Sequence, residues 1–290
     1  MERLMTHNGN RDQLVDTDLA DCARAVRLGI LDLSYRGRTA HIGSCLSVAD
    51  ILTAAYWGGL NITPENATAS RRDRLVFGKG HAAAALLAVL GERGFASREA
   101  ILDEFNRPGG SLQEHPGPDW PAGVETAAGS LGHAVPIAVG LALAARIRGE
   151  GYRVCAVIGD GECNEGSNWE AAMFAGGQKL ANLCVVVDAN CWQGIGRCRE
   201  ISALEPLAAK WEAFGWQALE MDGHDPVALR DALRCFGDGG RPTAIVAHTV
   251  KGKGVSFMED DNNWHYRLLS PEEYARARQE TVGLPERKAP

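Results

Sequence analysis

Two short apolar segments, separated by an amphipathic stretch, stand out in the middle of the chain. Residues 153–158 are rich in β-branched side chains and end at a glycine, which is typical of a strand buried in a parallel sheet. Residues 182–188 predict a second such strand. Between them, Ser167 and Glu170 have the spacing of a capping box, and residues 169–180 are predicted to be helical. A strand–helix–strand unit of this kind is almost always a right-handed crossover, and if its two strands are neighbours, Asn190 emerges at the sheet edge beside Asp160.

Further elements surround this unit. Apolar side chains at helical spacing predict a helix over residues 18–36 and a second short helix over 47–56. Residues 242–250 predict another strand, and residues 270–280 a short polar helix. The pattern as a whole predicts an α/β fold, a single domain with a mostly parallel sheet flanked by helices on both faces.

Composition and charge narrow the class of protein. Of the 290 residues, 45% are hydrophobic and 23% charged, which is typical of a globular domain with a sizeable core. We expect a flexible N terminus at residues 1–16, one domain at residues 17–269, and a short helix with a polar tail at residues 270–290. The net charge of −7 argues against a nucleic-acid interface. No apolar run is long enough for a membrane span or a signal peptide, so we expect a cytoplasmic protein.

The eight cysteines include no Cys-x-x-Cys pair, and we expect reduced, structural thiols. Cys163 and Cys191 are expected near the candidate chemistry described next. Because the sequence places no base beside either one, packing is favoured over reactivity for both.

The candidate chemistry lies at the predicted carboxyl ends of the two central strands. Asp160 follows the first strand between Gly159 and Gly161, and Asn190 follows the second. Glycines let the backbone approach a phosphate, and hard cations such as Mg²⁺ or Ca²⁺ take oxygen ligands from carboxylates and amides. A Gly-Asp-Gly turn alone is common, but its strand–helix–strand context favours a metal-bound diphosphate site over a plain turn.

These residues resemble the diphosphate-binding half of the transketolase family. The main block runs from Gly159 to Ala171 and continues at Asp188-Ala189-Asn190. Other blocks in the family's order are His41-Ile42-Gly43-Ser44, Arg71-Arg72-Asp73-Arg74 with Gly80-His81-Ala82, Glu114-His115-Pro116, Gly123-Val124-Glu125, Gly129-Ser130-Leu131-Gly132-His133, and Lys251-Gly252-Lys253-Gly254 with Trp264-His265. The resemblance covers roughly residues 20 to 268 and therefore nearly the whole chain.

The resemblance implies a thiamine diphosphate-binding domain and transfer of a two-carbon ketol unit from a ketose donor to an aldehyde acceptor. A full-length transketolase carries two further domains, for which 290 residues leave no room. We therefore expect this chain to be the N-terminal subunit of a split transketolase. Its partner would be a C-terminal subunit that carries the pyrimidine-binding domain and the activating glutamate, in an α2β2 heterotetramer that is inactive until assembled.

The resemblance also assigns site residues. His41, His81, His115 and His265 are the expected catalytic histidines, and His115 is favoured most because its block is closely retained. The metal is expected to be Mg²⁺ (or Ca²⁺), bound by Asp160, Asn190 and the carbonyl of Trp192. The expected cofactor-binding residues are Gly129, Leu131, Gly159, Asp160, Gly161, Glu162, Glu165 and Asn190, with Glu165 also expected at a dimer interface.

Departures from the family pattern leave details of the site open. The residues around His41 differ from the family pattern, and bulky Trp192 alters the expected floor of the site. A ketose donor other than an ordinary sugar phosphate is therefore kept as an alternative. Lys251 and Lys253 are interpreted as solvated loop charges rather than phosphate ligands.

Two other functions remain as alternatives. One is an acyl-transferring or acyloin-forming relative such as a 1-deoxyxylulose-phosphate synthase, against which the Trp169-Glu170-Ala171 block argues. The other is a non-catalytic cofactor-binding scaffold, which would not need the four histidines.

Overall fold

The computed structural model of the protein describes residues 18–117, 120–127 and 129–283. The predicted N-terminal segment, residues 1–16, and the end of the predicted tail, residues 284–290, lie outside that description. The strands of the described residues are β1 Arg74–Phe77, β2 Val154–Gly159, β3 Leu183–Ala189, β4 Gln217–Asp222 and β5 Thr243–His248. All pair in parallel, in the order β1-β2-β3-β5-β4, so the two central predicted strands are neighbours.

The α-helices of the same residues surround this sheet. In chain order they are α1 Leu19–Gly37, α2 Ile42–Ser47, α3 Ala49–Ala54, α4 Ala83–Arg93, α5 Arg98–Glu104, α6 Ala134–Arg148, α7 Gly166–Gly177, α8 Cys198–Ile201, α9 Leu207–Ala213, α10 Pro226–Cys235 and α11 Pro271–Val282. The predicted first helix begins where its sequence indicates, because the Asp18 carboxylate caps it by accepting from the backbone N–H of Ala20 at 2.8 Å.

The sheet divides the apolar core into two layers. On β2, Cys155 and Val157 pack with α1 to α4 and α10, whereas Val154, Ala156 and Ile158 pack on the opposite face with α6, α7 and α9. Both faces of the strand are therefore buried, which explains its continuous apolar run. This arrangement confirms the predicted α/β fold with helices on both faces.

The structure adjusts one local prediction and contradicts another. The helix predicted over residues 47–56 is present but begins later, since α3 spans Ala49–Ala54 and a π-helical turn at Ala55–Gly59 continues from it. The predicted capping box is absent: α7 begins at Gly166 after Glu165, and the Ser167 hydroxyl donates to the carbonyl of Gly132 at 2.7 Å. A tertiary hydrogen bond therefore takes the side chain that the local pattern assigned to a helix cap.

The short polar helix near the C terminus is present as α11 and packs against α1. The rings of Tyr274 and Tyr35 stack with centroids 4.1 Å apart, and the Tyr274 hydroxyl donates to Asp32 at 2.7 Å. Among the helices of the described residues, none combines the length and the apolar character that a bilayer crossing requires.

Candidate active site at the carboxyl edge of the sheet

Asp160 and Asn190 lie together where β2 and β3 end. The backbone N–H of Asp160 donates to the carbonyl of Asp188 at 3.2 Å, so the two strand ends are in register. The Asp160 carboxylate accepts from the backbone N–H groups of Gly161 at 2.8 Å and Cys191 at 2.6 Å. Asn190 uses its amide oxygen to accept from the N–H of Trp192 at 3.0 Å. The Asp160 carboxylate thus lies against the tight turn of residues 190–192, which contains the other two expected metal ligands.

This turn needs a left-handed residue. Cys191 has φ +67°, a conformation that favours glycine and costs another residue about 1 kcal/mol. The hydrogen bond from its N–H to Asp160 holds it in place. Cys191 is exposed whereas Cys163 is buried, and neither forms a disulfide.

A cavity of about 280 Å³ opens at this turn. Most of the predicted site residues line it, namely His41, His81, Gly129, Leu131, Gly159, Asp160, Gly161, Glu162, Asn190, Trp192 and His265. Ser44, Lys79, Gln193 and Gly194 also line it but were not predicted. A larger cavity of about 430 Å³ also borders Asp160. It contains none of the predicted histidines, so the smaller cavity is the candidate active site.

Three of the four expected catalytic histidines form one cluster. The ring centroid of His41 lies 5.4 Å from that of His81 and 4.8 Å from that of His265. Burial lowers the pKa of His41 and lowers the pKa of His81 well below its usual value. Burial, and then the charge of Lys251, lowers the pKa of His265 to about 3. At neutral pH the three rings are uncharged, and each offers one N–H donor and one acceptor nitrogen.

Lys251 corrects a sequence prediction, because it is 1% exposed and therefore not a solvated loop charge. Its ammonium group donates to Asn262 Oδ1 at 2.6 Å and lies 3.1 Å from Nδ1 of His265. A protonated lysine can only donate, so Nδ1 of His265 accepts and its Nε2 carries the proton. Burial, and then the charge of Lys79, lowers the pKa of Lys251 to about 8. Lys253 matches its prediction, since it is a half-exposed partner of Glu259 at 3.3 Å.

An ion pair beneath the cavity was missed by the sequence analysis. The Lys79 ammonium donates to the Asp188 carboxylate, and both side chains are almost fully buried. The hydroxyls of Ser47 and Thr249 also donate to Asp188, the former at 2.6 Å. Lys79 directly precedes the quoted Gly80-His81-Ala82 block, but nothing local to it indicates its partner 109 residues away.

His115 and Glu165 do not line the cavity. His115 is exposed, although a Cβ added to Gly129 would lie 3.3 Å from its ring, so it sits beside a residue of the cavity wall. Its neighbour Glu114 has a carboxylate oxygen 3.4 Å from Nδ1 of His41. Glu165 is exposed at the start of α7. Whether these two residues act in the reaction stays a prediction.

The cavity has the chemistry expected for a cation-bound diphosphate. Burial, and then the nearby charge of Asp188, raises the pKa of Asp160 to about 6, which a bound cation would oppose. Buried polar atoms of two lining residues, Glu162 Oε2 and Gln193 Nε2, have no hydrogen-bond partner in the described part of the chain. Residues 18–117, 120–127 and 129–283 contain no metal-binding cluster of three or more His, Cys, Asp or Glu. An ion held here would therefore take its other ligands from phosphate or water, as Mg²⁺ commonly does.

The chain is similar to known proteins over most of its length. The family described as "Transketolase, thiamine diphosphate binding domain" matches residues 18–288. An apulose-4-phosphate transketolase subunit of Phocaeicola vulgatus is 37% identical over 255 residues, which are 87% of this chain and 89% of that protein. The 6-deoxy-6-sulfo-D-fructose transketolase subunit SqwG of a Clostridium species is 39% identical over 261 residues, 90% of this chain and 94% of that protein.

A solved structure is similar over most of this chain. The transketolase of Campylobacter jejuni superposes with a TM-score of 0.85 at 30% identity. The match covers 93% of this chain but 43% of that one, so this chain spans less than half of the solved enzyme's length.

Proposed function

The chain belongs to the transketolase family, and we propose that it is the N-terminal, diphosphate-binding subunit of a two-component transketolase. In this proposal the assembled enzyme transfers a two-carbon ketol unit from a ketose to an aldehyde. The observation that carries it is the single cavity in which Asp160 and Asn190 meet three neutral histidines. A scaffold that only held a cofactor would have no use for those proton-exchanging groups.

The proposed cofactor is thiamine diphosphate with Mg²⁺ (or Ca²⁺). Asp160, Asn190 and the Trp192 carbonyl would hold the cation, and Gly161 would allow close approach of the diphosphate. When bound, the cofactor supplies the electron sink that carbon–carbon cleavage requires. Support for this proposal comes from the oxygen-rich turn and the unpaired buried polar atoms beside it.

The chain's own residues would orient the reactants and move protons. The Nε2–H of His265 is a fixed donor, because Lys251 occupies its other nitrogen. His41 and His81 are uncharged and can donate to or accept from hydroxyl groups without placing a net charge in the cavity. Lys251 adds a buried positive charge that would attract an anionic ligand.

Exposed apolar side chains near the cavity suggest where a C-terminal partner subunit would dock. Leu131 lines the cavity and is 37% exposed, Ile195 follows a cavity residue and is 84% exposed, and Tyr266 follows His265 and is 63% exposed. Such residues are typical of a protein interface. We propose that the partner covers this edge and completes the site.

A second apolar surface supports the proposed α2β2 heterotetramer. It consists of Ile147 on α6 and of Met173 and Phe174 on the adjacent α7, all exposed. Glu165, which is predicted to lie at a dimer interface, immediately precedes α7, the helix that carries Met173 and Phe174. We propose that a second copy of this chain packs here.

The proposed donors are ketoses like those in the names of the related subunits. Those names include apulose 4-phosphate and 6-deoxy-6-sulfo-D-fructose. We propose that the donor is a ketose related to these two compounds. A screen of such ketoses with small aldehyde acceptors would identify the pair.

Reconstitution tests the proposed function. The chain and its C-terminal partner subunit, purified separately and then mixed with thiamine diphosphate, Mg²⁺ and ketose donors, should give ketol transfer only together. Asp160→Ala should abolish the metal-dependent heat of cofactor binding in calorimetry, whereas Asp238→Ala at an exposed position should leave it unchanged. Full turnover by the isolated chain would refute the split enzyme, and unchanged cofactor affinity of Asp160→Ala would refute the metal assignment. We also propose a cytoplasmic location, which cell fractionation would check.

A further inference from the structure

The loop that carries Lys251 is held from outside the cavity at several points. The backbone N–H of Val250 donates to Nε2 of His224 at 2.8 Å, and Nε of Arg27 donates to the carbonyl of Lys253 at 3.2 Å. The N–H of Gly252 donates to the carbonyl of Gly43 at 2.9 Å. Lys251 is thus flanked on both sides by backbone groups that buried side chains hold in place.

His224 and Arg27 are themselves joined by Asp50. Nδ1 of His224 lies 2.7 Å from one Asp50 oxygen, and Arg27 pairs with both oxygens of the same carboxylate. Arg27 is 6% exposed, Asp50 4% and His224 9%. None of the three lines the candidate active site, so any influence on it must pass through the loop.

The donor and acceptor types in this network determine which nitrogen of His224 carries the proton. The Val250 N–H can only donate, so Nε2 of His224 accepts and carries no proton. The proton of the neutral ring then lies on Nδ1 and is donated to the Asp50 carboxylate, which can only accept. Asp50 thereby selects the tautomer of His224 that can hold Val250.

We propose that Arg27, Asp50 and His224 form a positioning relay that sets the place of Lys251 and, through Lys251, the tautomer of His265. This inference rests on the proposed function, in which His265 and Lys251 face an anionic cofactor. The relay fixes Val250 and Lys253, and the residue between them holds its ammonium 3.1 Å from Nδ1 of His265. A lysine that moved away would free Nδ1 of His265 to take the proton and remove the donor from Nε2. Mutating a residue that orients a metal ligand typically costs about 10- to 100-fold in affinity or activity, and we expect a loss in the same range for a residue that orients Lys251.

Two amide substitutions at His224 separate its contact with Val250 from its contact with Asp50. His224→Gln places an amide near the position of Nε2 and retains an acceptor for Val250, whereas His224→Asn reaches Asp50 but not Val250. With the full chain and its partner subunit, we expect His224→Asn to weaken thiamine diphosphate binding, measured by calorimetry with Mg²⁺, by about tenfold or more. His224→Gln should restore most of that loss. The matched control is His248→Gln, a half-exposed histidine at a strand end that pairs with Glu220.

The tautomer of His265 gives a readout that a purely structural role would not change. Nitrogen NMR of the histidine-labelled full chain should show Nε2 of His265 protonated in the wild type and in His224→Gln, and a shift toward protonated Nδ1 in His224→Asn. The relay is overturned if His224→Asn keeps the wild-type affinity and His265 tautomer, or if both variants lose affinity equally. Should neither variant fold, a wild-type His265 protonated on Nδ1 would still overturn it. Failure of the wild type to bind the cofactor would instead refute the proposed function.

Discussion

Replacing Lys79 by methionine should cost far more stability than removal of a surface lysine. The Lys79 ammonium donates to the Asp188 carboxylate, to the carbonyl of Ser44 at 3.0 Å and to the Ser47 hydroxyl at 3.3 Å. The side chains of the ion pair are only 2% and 0% exposed. In Lys79→Met, the Asp188 carboxylate keeps the two hydroxyl donors but loses its counter-charge in a place that water does not reach.

The expected magnitude follows from that uncompensated charge. Removing one partner of a buried ion pair typically costs about 3–5 kcal/mol, whereas replacing both partners is often close to neutral. Lys79→Met should therefore lower the free energy of unfolding by about 3–5 kcal/mol. Adding Asp188→Asn, which keeps the shape and accepts from Ser47 and Thr249, should recover most of that loss.

Urea unfolding of the two single variants, the double variant and a control measures this effect. The control is Lys253→Met, the same change at a half-exposed pair whose atoms lie 3.3 Å apart, with an expected cost of at most about 1 kcal/mol. The reasoning is refuted if Lys79→Met costs no more than Lys253→Met. It is also refuted if the effects of Lys79→Met and Asp188→Asn simply add, because the two residues would then not be coupled.

Three further predictions concern the site. Because the pKa of Asp160 is raised to about 6 and its proton must leave before a cation binds, the affinity for thiamine diphosphate with Mg²⁺ should fall as the pH drops below that value. Above the Lys251 pKa of about 8, the loss of the lysine charge should also lower this affinity. Calorimetry across both pH values measures the affinity, and a flat profile would contradict this prediction. Gly132→Ala should destabilise the protein more than Gly94→Ala in urea unfolding, since both have positive φ but an added Cβ lies 2.6 Å from the Glu165 side chain only at Gly132; equal losses would argue against that clash. Cofactor and Mg²⁺ together should slow maleimide labelling of the exposed Cys191, seen by mass spectrometry, without slowing the other exposed thiol; equal protection of both would argue against binding at this turn.

The sequence predicted the centre of the fold because that signal is local. The strands β2 and β3 are buried on both faces, so each needs a continuous apolar run, and the residues that follow them must meet at one edge of a parallel sheet. The proximity of Asp160 and Asn190 was therefore predictable from the strand–helix–strand pattern. The helix α1 was predictable for the same reason, since its periodicity and its Asp18 cap lie within one segment.

Features that depend on distant partners were missed or misjudged. Ser167 has the spacing of a cap, but its hydroxyl bonds to Gly132, 35 residues earlier. Lys251 looks like a loop charge until the chain folds Asn262 and His265 around it. His224 likewise has no local mark of its contacts with Asp50 and Val250. Burial of a polar side chain is a tertiary property, which local periodicity does not encode.

The central claim is that a divalent cation, bound by Asp160 and Asn190, anchors the diphosphate of the cofactor in this cavity. The most direct test is a crystal of the chain assembled with its partner subunit, grown with thiamine diphosphate and Mn²⁺ in place of Mg²⁺ and measured at the manganese absorption edge. We predict one anomalous peak within about 2.5 Å of oxygens from Asp160, Asn190, the Trp192 carbonyl and the diphosphate. A bound cofactor with no peak there, or with its metal held by other residues, would contradict the account.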